Sequence, residues 1–515
     1  NFGGFIALQN LLSGAAPPAI VSISFGSPET LLGAENSYIS SLYQQAASEG
    51  VSVFVAAGDW GAAASDGLLG DPEALYGINV SGFASTPYDV AVGGTDFSDT
   101  YSGTEGTYWR SSNTANYGSA LSYIPEIPWN DSCAGGLLDD FYGYPTAYGS
   151  SGFCNSSEGE DYFLNLIAGG GGPSGCATGA PSASGVVSGT CAGYAKPAWQ
   201  SVFGNPQDGV RDLPDVSLFA SNGFWRHFYV VCSTASPEGC SGAPDTWGGG
   251  GGTSFAAPIM AGIQALINQK TGSPQGNPNP AYYSLASAEY GASGSSICDS
   301  SLGNAVSSSC IFYDITLGDN DVPCIGSNNC YAPSGTWGVL STSDSDFLPS
   351  FGTAAGWDFA TGIGSINAYN LVNAFSPITS PTPTPTPTPT LTPTSTATPT
   401  PVAEKLTFSP SSLSFGDAVR VGTVSKPKAV TIKNPGSKKT GLAVNIQQES
   451  ATALPFEVNS ECETTLAPGK SCKVQVTFKP PDTTLQTGSL MIFDNATGSP
   501  QSVALSGTGK APKQK

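Results

Sequence analysis

Cations are scarce in the first three-quarters of this 515-residue sequence. Residues 1–375 hold five, Arg110, Lys196, Arg211, Arg226 and Lys270, against 31 acids, a balance of −26. So acidic a surface excludes nucleic acid as a partner. It also has few ion pairs to lose as carboxylates protonate, which fits either work at low pH or a merely soluble acidic surface. Histidine is nearly absent, with His227 alone, and no cysteine pairs with it at zinc-ligand spacing. The twelve cysteines, ten before residue 376 and two after it, therefore read as disulfides of an oxidising compartment. No apolar run is long enough for a membrane span. The opening NFGGFIALQNLLSG has neither a charged n-region nor a cleavage signature, so it is no signal peptide and reads as the middle of a domain.

What is present divides in three. Residues 381–401 alternate Pro with Thr and cannot form a core, so within a 377–403 linker they are expected to be an extended tether reaching roughly 65 Å. Before it, 1–376 is one module. After it, 404–515 carries thirteen cations against eight acids, a balance of +5, and is a chemically different module.

In the first module, AIVSISFG (19–26) and VSVFVAAGD (51–59) are apolar runs flanking AENSYISSLYQQAASEG (34–50), where Tyr38, Leu42 and Ala46 have helical spacing. YDVAVGGT (88–95) reads as a further strand. This is a strand-helix-strand pattern, and near-continuous apolar strands predict a parallel sheet covered on both faces, an α/β fold with active groups at strand C-terminal ends, where Asp59 lies. In the last module, short alternating runs such as KAVTIKNPG and SCKVQVTFKP predict an antiparallel, immunoglobulin-like sandwich. Cys462 and Cys472 bracket ETTLAPGKS and are expected to close a small loop.

Five glycines, Gly248 to Gly252, lead into Thr253 and Ser254, after which FAAPIMAGIQALINQKTG reads as a helix ending near Gly272. Ser254 thus stands where free amides and the helix dipole favour an oxyanion. Pro258 is placed in the first turn, where a missing N–H costs nothing. The competing reading is an N-capping serine. GGTSFAAP with Gly262 resembles the nucleophile segment of subtilisin-like serine peptidases. Subtilisins need a histidine base, but His227, in FWRHFYVV, reads as a strand residue. They also place Asn where this chain has Asp59 in VFVAAGDWG, and a carboxyl donates to an oxyanion only when protonated.

VSISFGSPE, VAAGDWG, FASTPYDVAVGGT, GGGGPSG, YAKPAWQ, RDLPDVSLFAS and GGTSFAAP, in this order, resemble the sedolisins, the serine-carboxyl peptidases, over nearly all of 1–376. The resemblance implies a secreted, acid-acting endopeptidase of polypeptides with Ser254 as nucleophile and Asp59 as oxyanion donor. Its base, a Glu oriented by an Asp four residues later, matches nothing here and is expected upstream of Asn1, so this chain alone is expected to be inactive. The chain departs from the family at Gly251, where Ser is usual, and at Trp60, where a small residue is usual. FYDITLGDND and AAGWDFATGIG resemble the family's calcium loop, which implies one structural Ca2+ on the carboxylates of Asp314 and Asp358 and the carbonyls of Ile315, Ala354 and Gly356. The family has Gly where Ala354 stands. Without the resemblance, Trp357 is core and Asp358 caps a turn. CETTLAPGKSCKVQVTFKP and VALSGTG resemble the ASPM/SPD-2/hydin-like and choice-of-anchor D sandwiches, implying a spacing or binding role, with a cell-surface or polysaccharide ligand as candidates. A non-catalytic adhesion protein on a peptidase scaffold, or an ordinary subtilisin with Asp and His upstream, are the alternatives.

Overall fold

The computed structural model describes residues 3–14, 16–233, 242–244, 247–375, 405–436, 444–451, 455–460, 462, 465–494 and 501–511. The Pro/Thr tether lies outside them. The chain divides into two compact units, Asn1–Thr382 and Pro383–Lys515.

The first unit opens with helix α1 (Gly3–Leu12), followed by β1 (Ile20–Ile23), α2 (Glu35–Ser48), β2 (Ser52–Ala56) and β3 (Val90–Phe97). Strands β1, β2 and β3 are parallel, with Val21 opposite Val53 and Val55 opposite Ala91. Strand β4 (Glu126–Pro128) runs antiparallel to the end of β3, and β5 (Val216–Phe219) runs parallel to it. A hairpin of β6 (Tyr229–Val231) and β7 (Gly248–Gly250) then leads into α3 (Thr253–Thr271) and α4 (Asn279–Tyr290).

Side chains alternate across a strand, and here both faces are covered, so β2 is buried throughout and apolar from Val53 to Ala56. Val53 and Val55 pack with Phe5 and Leu8 of α1 and Ile39, Leu42 and Tyr43 of α2. Phe54 and Ala56 face the other way, onto Ala256, Ala257, Met260 and Ile263 of α3 and Tyr282 and Tyr283 of α4. The expected α/β architecture holds, with helices on both faces of a parallel sheet.

The second unit is all β. Thr407–Ser409, Lys428–Lys433, Ser471–Phe478 and Phe456–Ser460 form one antiparallel sheet. The other is built on the hairpin of Leu485–Asp494 and Gln501–Lys510. Two short strands, Ser412–Ser414 and Val419–Arg420, lie parallel to Gln501–Lys510, a departure from a wholly antiparallel sandwich. Val430, Ile432, Val474, Val476, Leu490, Ile492, Val503 and Leu505 fill its core.

Disulfides join Cys133 to Cys154, Cys176 to Cys191, Cys298 to Cys310, Cys324 to Cys330 and Cys462 to Cys472, and Cys232 is also disulfide-bonded. The small loop expected between Cys462 and Cys472 is closed.

Two of the five cations of the first unit hold buried acids: Arg211 pairs with Asp215 at 2.6 Å, and Lys196 pairs with Asp212. Elsewhere desolvation acts on the carboxyls, pushing Asp66 up to about 6 and Asp131 and Asp139 up to about 7. A folded pKa above the unfolded one means that the stability these groups lend is complete below the unfolded value and is lost as pH rises through the folded one. The melting temperature of residues 1–515 is therefore expected to be higher at pH 5 than at pH 7.5 by scanning calorimetry at fixed ionic strength. A lower value at pH 5 would show that other groups govern the pH dependence.

Candidate active site

Strand β2 ends at Ala56, whose neighbour Ala57 still donates to the Val92 carbonyl at 2.9 Å. Gly58 and Asp59 then leave the sheet at its C-terminal end. From the opposite direction, β7 delivers Gly251 and Gly252 to the start of α3. A side chain at Gly251 would put its Cβ 2.2 Å from the Ser221 carbonyl oxygen, so on this backbone the departure from the family's serine is required. At Gly252, φ is +108° and a Cβ would lie 2.8 Å from Asp59 Oδ2, which favours glycine twice over.

The two ends meet at Thr253. Its N–H and its hydroxyl both donate to Asp59 Oδ1, at 2.8 and 2.7 Å, and Gly58 N–H donates to the same hydroxyl at 3.3 Å. Burial raises the pKa of Asp59, and the two bonds from Thr253 only partly oppose this. With both Thr253 bonds on Oδ1, Oδ2 is the oxygen that faces Gly252 and can carry a proton.

Ser254 is half-buried and is the second residue of α3, with Gly252 at the N-cap position. The N-capping reading of Ser254 is thus set aside. Its amide is among the helix's first four and by position has no intrahelical acceptor. Gly272, with φ of +74°, ends the helix as expected. Pro258 is a correction. Because α3 begins at Thr253, Pro258 is its sixth residue and lies beyond the first turn, so its missing N–H does remove a partner, from the Ser254 carbonyl. Ser24, just past β1, donates its hydroxyl to that carbonyl at 2.9 Å. On the line of Ser254 along α3, Pro258, Gly262, Ala265 and Leu266 are all exposed, Leu266 by 51%.

Trp60 bridges to Ala168 and lays its ring over Gly67, where a Cβ would come within 2.0 Å of it. The bulky residue after Asp59 is thereby taken up by the fold.

His227 is also a correction, for it precedes β6 and is not a strand residue. It lies buried between two fully buried aspartates, with Nδ1 3.0 Å from Asp96 and Nε2 3.1 Å from Asp99, and stacks on Trp109. Burial would lower its pKa, but the two carboxylates outweigh burial and push it up to about 9. Both ring nitrogens are engaged, which leaves neither to serve a hydroxyl.

The proposed calcium ligands fall together. Asp314 Oδ2 accepts from Gly356 N–H at 2.8 Å, and Asp358 Oδ2 accepts from Ala354 N–H at 3.1 Å. Asp314 Oδ1 is buried without a hydrogen-bond partner. Desolvation, with each bond to an N–H opposing it, leaves Asp314 at about 7 and Asp358 at about 8, and the Asp314 charge contributes to the latter. Two buried carboxyls that repel each other, one with a bare oxygen, suit a hard cation. Ile315 is fully buried beside them. Trp357 is buried as well, and Asp358 Oδ1 accepts from Ala360 and Thr361 N–H, so the core and turn-capping roles hold whether or not a cation binds.

The chain is similar to kumamolisin. The match to this protein of Bacillus sp. (strain MN-32) is 25% identical over 367 residues, covering 70% of this chain and 43% of kumamolisin. The chain thus spans less than half the length of the curated relative it matches. Among solved structures, Pseudomonas sedolisin, a serine-carboxyl proteinase complexed with two molecules of pseudo-iodotyrostatin, aligns at 21% identity over 72% of this chain and 67% of its own, with a TM-score of 0.39. Residues 403–510 match the family model described as Cep192 domain 4. The ASH/PapD-like domain 7 of human CEP192 aligns over 24% of this chain and 100% of its own at 16% identity and a TM-score of 0.18. The similarity to kumamolisin bears out the resemblance drawn from the motifs of 1–376 and supports a serine-carboxyl peptidase scaffold, and the Cep192 model bears out the C-terminal sandwich. Among the described residues no helix is long and apolar enough to cross a membrane.

Replacing His227 by Gln strands two buried carboxylates, and breaking such a set costs about 3 kcal/mol. Urea unfolding of His227→Gln at pH 7 is expected to register that loss. An unchanged midpoint would mean that the ring carries no charge there.

Proposed function

We propose that this chain is the nucleophile-bearing part of a secreted endopeptidase that cleaves polypeptides at acidic pH. The observation that carries the reading is the pair of bonds from Thr253 to Asp59 Oδ1, which sets a carboxyl with a raised pKa beside Ser254. In the proposed reaction, Ser254 Oγ adds to the scissile carbonyl carbon and its proton passes to a carboxylate base. The carbonyl oxygen, now an oxyanion, accepts from Ser254 N–H and from protonated Asp59 Oδ2. Collapse expels the amine, which takes the proton back, and water then releases the acyl group by the same steps. The base is a Glu held by an Asp from a segment preceding Asn1.

Asp59 donates only while protonated, so activity is lost as pH rises through its raised pKa. In the full-length protein, Ser254→Ala is expected to abolish turnover of an unfolded protein substrate, and Asp59→Ala to lower kcat by about 10²–10³-fold. Asp59→Asn, a donor at every pH, is expected to carry the alkaline limb of the kcat profile upward. An alkaline limb unmoved by Asn would remove Asp59 from the oxyanion.

We further propose one structural Ca2+ held by Asp314 and Asp358, with the Ile315, Ala354 and Gly356 carbonyls completing it. Bound there, Ca2+ neutralises two buried carboxylates. Titrating Ca2+ into chelator-treated residues 1–515 at pH 7 is expected to raise the melting temperature by several degrees, and Asp314→Asn to abolish the rise. An equal rise in Asp314→Asn would place the ion elsewhere.

A further inference from the structure

A backbone carbonyl in an α-helix is satisfied by the N–H four residues on. For Ser254 that residue is Pro258, which has no N–H and whose ring crowds the carbonyl it should serve. The carbonyl lies at the half-buried start of α3, against the C-terminal ends of β1 and β2. Ser24, 230 residues away in sequence and half-buried, supplies the missing donor at 2.9 Å. It follows directly on β1, which is held to β2 in register from Ile20 opposite Ser52 to Ile23 opposite Val55. β2 in turn runs into Asp59. The Thr253–Ser254 segment is therefore fixed from two sides by the same part of the sheet. Asp59 takes the N–H and hydroxyl of Thr253, and Ser24 takes the carbonyl of Ser254.

We propose that Ser24 is a positioning residue for the nucleophile, its hydroxyl replacing the helical hydrogen bond that Pro258 abolishes at the Ser254 carbonyl. The inference rests on reading Ser254 as the nucleophile. Ser24 acts through the backbone of Ser254, so its removal lets the attacking oxygen and the oxyanion amide drift together and affects the chemical step more than binding. Misplacement on the ångström scale costs up to about 100-fold in rate.

The test is a double-mutant cycle, because Pro258→Ala restores the N–H that Ser24 replaces. In the full-length protein, Ser24→Ala is expected to lower kcat by about 10- to 100-fold with KM changed less than about threefold. Ser24→Thr, which keeps the hydroxyl, is expected to retain most of the rate, and Ser24→Ala/Pro258→Ala to recover to near the level of Pro258→Ala. The same cycle is read without turnover on residues 1–515, where Ser24→Ala is expected to lower the melting temperature clearly when Pro258 is present and little in the Pro258→Ala background. A kcat loss and melting shift as large in the Pro258→Ala background as with Pro258 in place would overturn the proposal. So would an unchanged kcat in Ser24→Ala, or a loss confined to KM. If Ser24→Ala does not fold, Ser24→Cys in both backgrounds gives the same comparison. A full-length protein that cleaves nothing would defeat the reading of Ser254 and leave the melting cycle to decide the link to Ser24.

Discussion

Thirty-one acids and five cations leave the large unit with far more carboxylate than cationic charge, and its fold depends on backbone N–H groups and hydroxyls standing in for the absent lysines and arginines. Glu29, almost wholly buried, is met by Ser174 and by the amides of Gly175 and Cys176. Asp66 takes the amides of Leu75 and Tyr76, and Asp319 those of Gly136 and Asp321. Donors of this kind favour the ionised carboxyl, as a cation does, but at Glu29, Asp66 and Asp319 burial outweighs them and leaves the pKa raised.

Asp59 is the same device put to a different use. Its Oδ1 is anchored by Thr253 as other buried carboxyls are anchored by amides, and the anchoring leaves its second oxygen beside Gly252, at the head of the helix that carries Ser254. The element that holds the strand end to the helix start and the element proposed to donate in catalysis are one side chain. Removing it loosens the junction as well as the oxyanion site, so the amide replacement is more informative than truncation.

Much of this was legible in the sequence. The β-branched runs around 19–26, 51–59 and 88–95 became β1, β2 and β3 because continuous apolar strands have few places to go but the middle of a covered sheet. The glycine run meets close neighbours in the fold, the Ser221 backbone at Gly251 and the Asp59 carboxyl at Gly252. What could not be read was long-range pairing. Nothing local in FWRHFYVV shows that Asp96 and Asp99 enclose His227, and the apolar neighbours of that histidine suggested a strand. Pro258 was misplaced because the helix begins at Thr253, and the role of Ser24 depends on a contact spanning 230 residues. Thr253 was visible in the motif, but its two bonds to Asp59 were not.

The disulfides described above have a consequence for how the molecule is held together. The five whose two cysteines are described span 21, 15, 12, 6 and 10 residues. Every one is a local staple, and none ties one strand of the central sheet to another or to α3. Cross-links over such short loops restrict the unfolded chain modestly compared with long ones. The sheet and the helix that bears Ser254 are thus joined by packing and hydrogen bonds, so these five bonds would not by themselves hold fragments together after cleavage between β3 and α3 at a site outside the 133–154 and 176–191 loops. Oxidation guards the loops, and the junction between Asp59 and the start of α3 relies on non-covalent fit.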